Sequence, residues 1–201
     1  MRNALALLLA SLVLTVASPA AAQRRAFVVG DSHVFVLGRA LTRDLAPYGI
    51  DVVGWESRHG WSTAQYRRAG DLRELLEANG RPEIVIVSLG GNDEHETSDS
   101  YRDQIRWIVD EARAAGAERI VWLGPGTCDP SRGARAEAAE SRHEHNADLQ
   151  RDLVPTLGAR WIDSRPYTHR DHRRDGVHFT RAGYALWADG VLEDIVHDSG
   201  V

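Results

Sequence analysis

The chain has 201 residues, of which 43% are hydrophobic and 26% charged, with a formal net charge of −5. This suits one globular domain with a core large enough to fold alone, and the acidic balance carries no footprint for nucleic acid. Every basic residue other than histidine is an arginine, which excludes Schiff-base and lysine-nucleophile chemistry.

Arg2 precedes an apolar run, Ala4 to Val16, interrupted only by Ser11 and Thr15. Ser18-Pro19 breaks the run, and Ala20-Ala21-Ala22 offers small residues to a signal peptidase. The pattern predicts a signal peptide over residues 1–22 and a mature domain over 23–201. The expected location is secreted or periplasmic, without stable membrane insertion once the signal is cleaved. The apolar run is too short to span a bilayer comfortably, although an uncleaved anchor is the alternative.

Ala26 to Val29 reads as a strand, and Val34 to Leu45 as a helix ended by Pro47-Tyr48-Gly49. Ile50 to Trp55 is the next strand. Ser62 to Ala78 has helical spacing, with Gly80 beyond its end. Ile84 to Leu89 is continuous and β-branched, as in a strand buried on both faces. A helix follows over Tyr101 to Ala115, a strand over Arg119 to Leu123, and a helix over Ala134 to Leu153. Arg160 to Asp163 is a short strand, and Thr180, as N-cap, opens a last helix running to Val196. This alternation predicts an α/β fold: a flavodoxin-like three-layer α/β/α sandwich around a five-stranded parallel sheet. Such sheets bind ligands at the carboxyl ends of their strands.

Three segments carry chemistry. Phe27-Val28-Val29-Gly30-Asp31-Ser32 puts a serine just past a strand. Ser88-Leu89-Gly90-Gly91-Asn92-Asp93 puts a side-chain amide past another. Asp175-Gly176-Val177-His178 puts a carboxylate three residues before a histidine, in the long irregular stretch from Ser164 to Phe179. Each alone also reads as an ordinary turn or loop. Their order, with Gly60 between the first two, resembles the block pattern of the SGNH (GDSL-type) hydrolases, and the resemblance covers nearly all of the chain after the first twenty or so residues. It extends through Phe179-Thr180-Arg181-Ala182-Gly183-Tyr184, the family's final block running into its last helix.

The resemblance implies a serine esterase that needs no cofactor and no metal. Ser32 would be the nucleophile, His178 the base, and Asp175 the group that orients the imidazole. The N–H groups of Ser32 and Gly60 and the amide of Asn92 would form the oxyanion hole. His33 stands where the commonest form of the family has leucine. It is similar to the Asp-Ser-His form of SGNH domains that handle O-acyl groups on bacterial polysaccharides, and it is a candidate for substrate contact or else a satisfied rim histidine. Trp61, directly after Gly60, is the candidate to stack on substrate, ahead of Trp55 and Trp107.

The expected function is hydrolysis of small acyl esters, with O-acetyl groups on carbohydrate or envelope polysaccharide as substrate. A lysophospholipase, a thioesterase or an O-acyltransferase of the same family is the alternative. An SGNH fold that binds glycans without turnover is the alternative of another class. The expected partner is a small-molecule or glycan ester, and oligomeric state is not legible. His143/His145 and His169/His172 raise a metal reading. Residues two apart do not share a helix face, so His143 and His145 make a poor pair of ligands, and His169 and His172 lie in an Arg- and Asp-rich loop with no obvious third ligand; a solvated face is the expectation for these histidines. Asp93, Glu94 and Glu96 read as a pocket rim or an exposed cluster. Cys128 is the only cysteine, so no intramolecular disulfide forms, and it reads as an inert loop residue.

Overall fold

The computed structural model describes residues 23–94 and 98–197. The expected signal peptide, and Glu96 of the acidic cluster, lie outside the described residues. Five strands form one parallel sheet in the order β2-β1-β3-β4-β5. They are β1 (Arg24–Gly30), β2 (Ile50–Ser57), β3 (Ile84–Ser88), β4 (Arg119–Leu123) and β5 (Arg160–Ile162). The helices are α1 (Val34–Leu45), α2 (Thr63–Ala69), α3 (Leu72–Ala78), α4 (Ser98–Ala114), α5 (Ala134–Leu153) and α6 (Arg181–His197).

Strand side chains alternate between faces, so the sheet carries two cores. Ala26, Val28, Ile84, Ile86 and Val121 pack under α1 and α6 with Leu37, Leu41, Trp187 and Val191. Phe27, Val29, Val85, Val87 and Trp122 pack on the other face with Leu72, Leu76, Ile105 and Ile108 of α3 and α4. The strands are therefore covered on both sides, which is why they read as unbroken apolar runs.

One predicted helix divides in two. Ser62 to Ala78 is α2 and α3, because Gly70 is left-handed (φ 69°) and its N–H closes on the Tyr66 carbonyl. Periodicity persists across the break because Tyr66, Leu72 and Leu76 all face the same core. Thr180 caps α6 as expected, its hydroxyl accepting from the Gly183 N–H at 3.2 Å.

The strand order sets the site. After β1 the chain goes one way to β2, while β3 lies on the other side of β1. This reversal leaves a crevice at the carboxyl edge, where open α/β sheets hold ligands. Gly30 pairs with Ser57 on one side and Ser88 on the other. The segments after these three strands carry Ser32, Gly60 and Asn92.

Candidate active site

Ser32 sits in the turn after β1, and its Oγ lies 2.9 Å from His178 Nε2. A Cβ on Gly30 would fall 2.1 Å from the Ser88 carbonyl oxygen, so only glycine lets β1 end this close to β3. His178 comes from the loop ahead of α6. One Asp175 oxygen accepts from the backbone N–H groups of Val177 (3.0 Å) and His178 (2.9 Å). The other faces His178 Nδ1 at 2.9 Å. An ionised carboxylate only accepts, so Nδ1 carries the proton and Nε2 turns its lone pair to the serine. Partial burial raises the Asp175 carboxyl, but the three hydrogen bonds and the His178 charge outweigh it and bring its pKa down to about 2. The three residues named from the sequence thus form one continuous hydrogen-bonded chain.

Asn92 follows β3. Its Nδ2 donates to Asp31 Oδ2 at 3.2 Å and to the Trp61 carbonyl at 3.3 Å, both long. Gly60 is left-handed (φ 73°), a conformation that disfavours any side chain, although nothing would obstruct a Cβ there. Among the described residues, the N–H groups of Ser32 and Gly60 have no acceptor.

His33 is only 6% exposed, which corrects the expectation of a rim histidine. Its Nδ1 is 3.0 Å from the Tyr184 hydroxyl, and its ring centroid is 5.1 Å from that of His178. Burial, with the neighbouring His178, lowers its pKa to about 3, so it is a neutral packing partner behind the His178 ring. Trp61 is half-buried, edge-on to Tyr66 and with the Arg58 guanidinium 4.5 Å from its ring centre. Neither His33 nor Trp61 lines the groove that opens from Ser32. Trp55 and Trp107 pack against the two cores.

α5 supplies a buried polar stripe that the sequence reading missed. His143, Asn146 and Gln150, spaced three and four apart, are buried on one helix face. Asn146 Nδ2 donates to the carbonyls of Gly90 (2.8 Å) and Asp93 (3.1 Å). Gln150 Nε2 donates to the Leu89 carbonyl (2.9 Å), and Arg142 Nε to that of Gly91 (2.9 Å). This polar stripe clamps the loop that carries Asn92. The signal was present as polar residues at helical spacing in a helix whose small residues are alanine. It was obscured because such residues usually face water.

His143 is therefore not solvated. It is 3% exposed, its Nδ1 donates to the Gly126 carbonyl at 2.6 Å, and burial lowers its pKa to about 4. His145 is exposed, so the pair shares no site. His172 is half-buried, its Nε2 2.9 Å from the Thr127 carbonyl. Among the described residues no three metal-ligating side chains converge. The acidic cluster also separates. Asp93 is buried and accepts from the Thr63 N–H at 2.8 Å, while Glu94 is exposed and pairs with Arg142 at 2.7 Å. Cys128 is buried, and burial together with Glu140 pushes its thiol up to about 12, far from a thiolate nucleophile.

Among solved structures, a carbohydrate acetylesterase from Sinorhizobium meliloti superposes with a TM-score of 0.70 at 14% identity, covering 87% of this chain and 99% of its own. A variant of an acetyl-xylooligosaccharide esterase from Geobacillus gives 0.66 at 16%, covering 87% and 94%. The aryl esterase of M. smegmatis gives 0.69 at 17%, covering 86% and 98%. At these identities the likeness establishes the fold. No curated protein matches in sequence. The model of the GDSL-like lipase/acylhydrolase family, in contrast, matches residues 25–186, most of the chain. The chain belongs to that family, and its class of chemistry is carboxylic ester hydrolysis.

Proposed function

We propose that the protein is an exported serine esterase that removes small acyl groups, O-acetyl above all, from carbohydrate esters. The observation that carries this reading is the chain from Ser32 Oγ through His178 to Asp175, with both links at 2.9 Å. The similarity to a carbohydrate acetylesterase and to an acetyl-xylooligosaccharide esterase supports the choice of ester. The apolar run and small-residue site in residues 1–22 support export.

In this mechanism His178 Nε2 takes the Ser32 proton as Oγ attacks the acyl carbon. Asp175 holds the ring and offsets the imidazolium charge. The carbonyl oxygen becomes an oxyanion facing the N–H groups of Ser32 and Gly60. Both Asn92 bonds are long, so the stronger acceptor draws one amide hydrogen to itself. Collapse breaks the ester C–O bond, and the leaving alcohol takes the proton from His178. Water then repeats the sequence on the acyl-enzyme and releases the carboxylate.

The test is active-site labelling of the purified mature chain with a fluorophosphonate, alongside acetate release from acetylated xylooligosaccharides. A single adduct on Ser32 that abolishes turnover is expected. An active preparation whose adduct lies elsewhere, or a chain that binds glycan without any adduct or turnover, overturns the reading.

A further inference from the structure

The groove that opens at Ser32 and His178 runs between α1 and the segment from His172 to Ala185, with a volume of about 1510 Å³. Six arginines line it: Arg39, Arg43, Arg132, Arg173, Arg174 and Arg181. Its one carboxylate is Asp175, already engaged by His178. Arg43 is paired with Asp44, and Arg132 with Asp129. Arg39, Arg173, Arg174 and Arg181 are exposed and, among the described residues, face no carboxylate within ion-pair range.

In a chain of net charge −5, this concentrates uncompensated positive charge on the wall of one groove. Like charges held together repel, and guanidinium groups match carboxylate and phosphate geometry. Phe35, 47% exposed, adds an aromatic platform, with Arg39 4.9 Å from its ring centre and the His59 ring 6.0 Å away. The groove exceeds the roughly 300–1,000 Å³ typical of small-molecule sites, which suits a chain of several units. Its apolar lining is Phe35, Val36, Ala40, Phe179, Tyr184 and Ala185.

We infer that the ester is carried on an acidic glycan, whose carboxylate or phosphate groups are held by Arg39, Arg173, Arg174 and Arg181 while a short O-acyl group reaches Ser32. This rests on the reading of Ser32 as nucleophile. Phe35 then stacks on a sugar ring, and the arginines select the anionic chain over a neutral one.

The experiment compares kcat/KM of the mature chain on O-acetylated oligogalacturonides, O-acetylated xylooligosaccharides of the same length, and vesicles containing an anionic lysophospholipid, across a salt series. p-Nitrophenyl acetate serves as the uncharged reporter. A preference of about ten-fold or more for the acidic glycan is expected at low salt, eroding as the Debye length shrinks below about 10 Å, while the neutral glycan shows little salt effect. Arg39→Gln, and the double change Arg173→Gln with Arg174→Gln, should shrink the acidic-to-neutral ratio, mainly through KM. All three positions are exposed, and circular dichroism checks that the variants fold. Equal, salt-insensitive rates on the two glycans, with the reporter still cleaved through Ser32, overturn the inference and leave the serine-esterase reading standing. Faster turnover of the lysophospholipid overturns it in favour of a lipid. Failure to cleave any ester, with no adduct on Ser32, overturns both readings.

Discussion

Asp31 holds Asn92. One oxygen of the buried Asp31 carboxyl accepts from the Asn92 amide at 3.2 Å, and the other from the His33 backbone N–H at 3.0 Å. The residue before the serine thus ties the end of β1 to the loop after β3, and aims the amide proposed to meet the oxyanion.

If that amide meets the oxyanion, its bond is stronger in the transition state than in the ground state. Asn92→Ala should therefore lower kcat by about 3 kcal/mol of barrier with little change in KM. Asn92→Asp should be worse, since it puts a carboxylate where negative charge develops. Steady-state kinetics decide: a raised KM with unchanged kcat would mean that Asn92 only binds substrate.

Asp31→Asn should trade activity for stability. Burial raises the Asp31 pKa to about 6, against the partial relief of the His33 N–H and nearby histidine charges. The folded protein thus holds this proton more tightly than the unfolded chain, whose carboxyl titrates near 3.8. Stability falls as pH rises from about 4 through 6 and stays lower above. Asparagine has no charge to desolvate, so the variant should gain up to about 3 kcal/mol above pH 6 and nothing below pH 4. Its kcat should drop, by less than the ~100-fold typical of losing an oxyanion donor outright, because the Asn92 amide loses its acceptor. Denaturant unfolding at pH 4 and pH 8, with kinetics, checks both halves.

His178→Ala should remove nearly all turnover, and Asp175→Asn should leave more. In the proposed mechanism the histidine moves the proton, whereas the carboxylate orients the ring. In hydrolases of this type, losing the base costs on the order of a million-fold and losing the carboxylate about a hundred-fold less. Near-native kcat in a folded His178→Ala protein would refute the assignment.

Asn146→Ala strips the donor from two buried carbonyls, Gly90 and Asp93. The expected cost is about 1–3 kcal/mol of stability, with a fall in kcat because the Asn92 loop is no longer clamped. Amide hydrogen exchange should speed up in the loop of residues 89–94 while β4 is unaffected. Unchanged exchange there would show that the clamp is not what holds the loop.

The fold should be acid-labile through its buried histidines. His33 and His143 are lowered to about 3 and about 4, chiefly by burial, against a free value of 6.5. Their contribution is full above pH 6.5 and is lost as pH falls, because the unfolded chain takes up protons that the folded one refuses. Each contributes about 1.4 kcal/mol per pH unit, and between pH 6 and 4 Asp31 cancels roughly one of them. Tm should thus fall across that window in the wild type and flatten in His143→Gln. Thermal melts from pH 7 to 4 show either result.

The strands and the helix order were legible in the sequence because their causes are local, and Ser32, Gly60, Asn92, Asp175 and His178 were named from the block pattern of the family that the sequence resembles. Apolar runs make buried strands, and helical spacing makes packed helices. A serine or an amide just past a strand must fall on the carboxyl edge of a parallel sheet. Asp175 and His178 share one turn, so their meeting needs only three residues of chain. What tertiary structure alone decided lies between distant segments. Gly70 splits a helix whose core-facing pattern runs on unbroken. His33 and His143 are buried because α6 and the 89–93 loop close over them, and only the fold brings those segments there. The α5 stripe looked like a solvated face, since hydrogen-bonding residues read the same whether they meet water or a buried loop. The arginines of the groove are spread from position 39 to position 181. Their common field exists only because α1 and the loop before α6 face each other across Ser32, and charge separated along a chain has no meaning for a ligand until the fold brings it to one place.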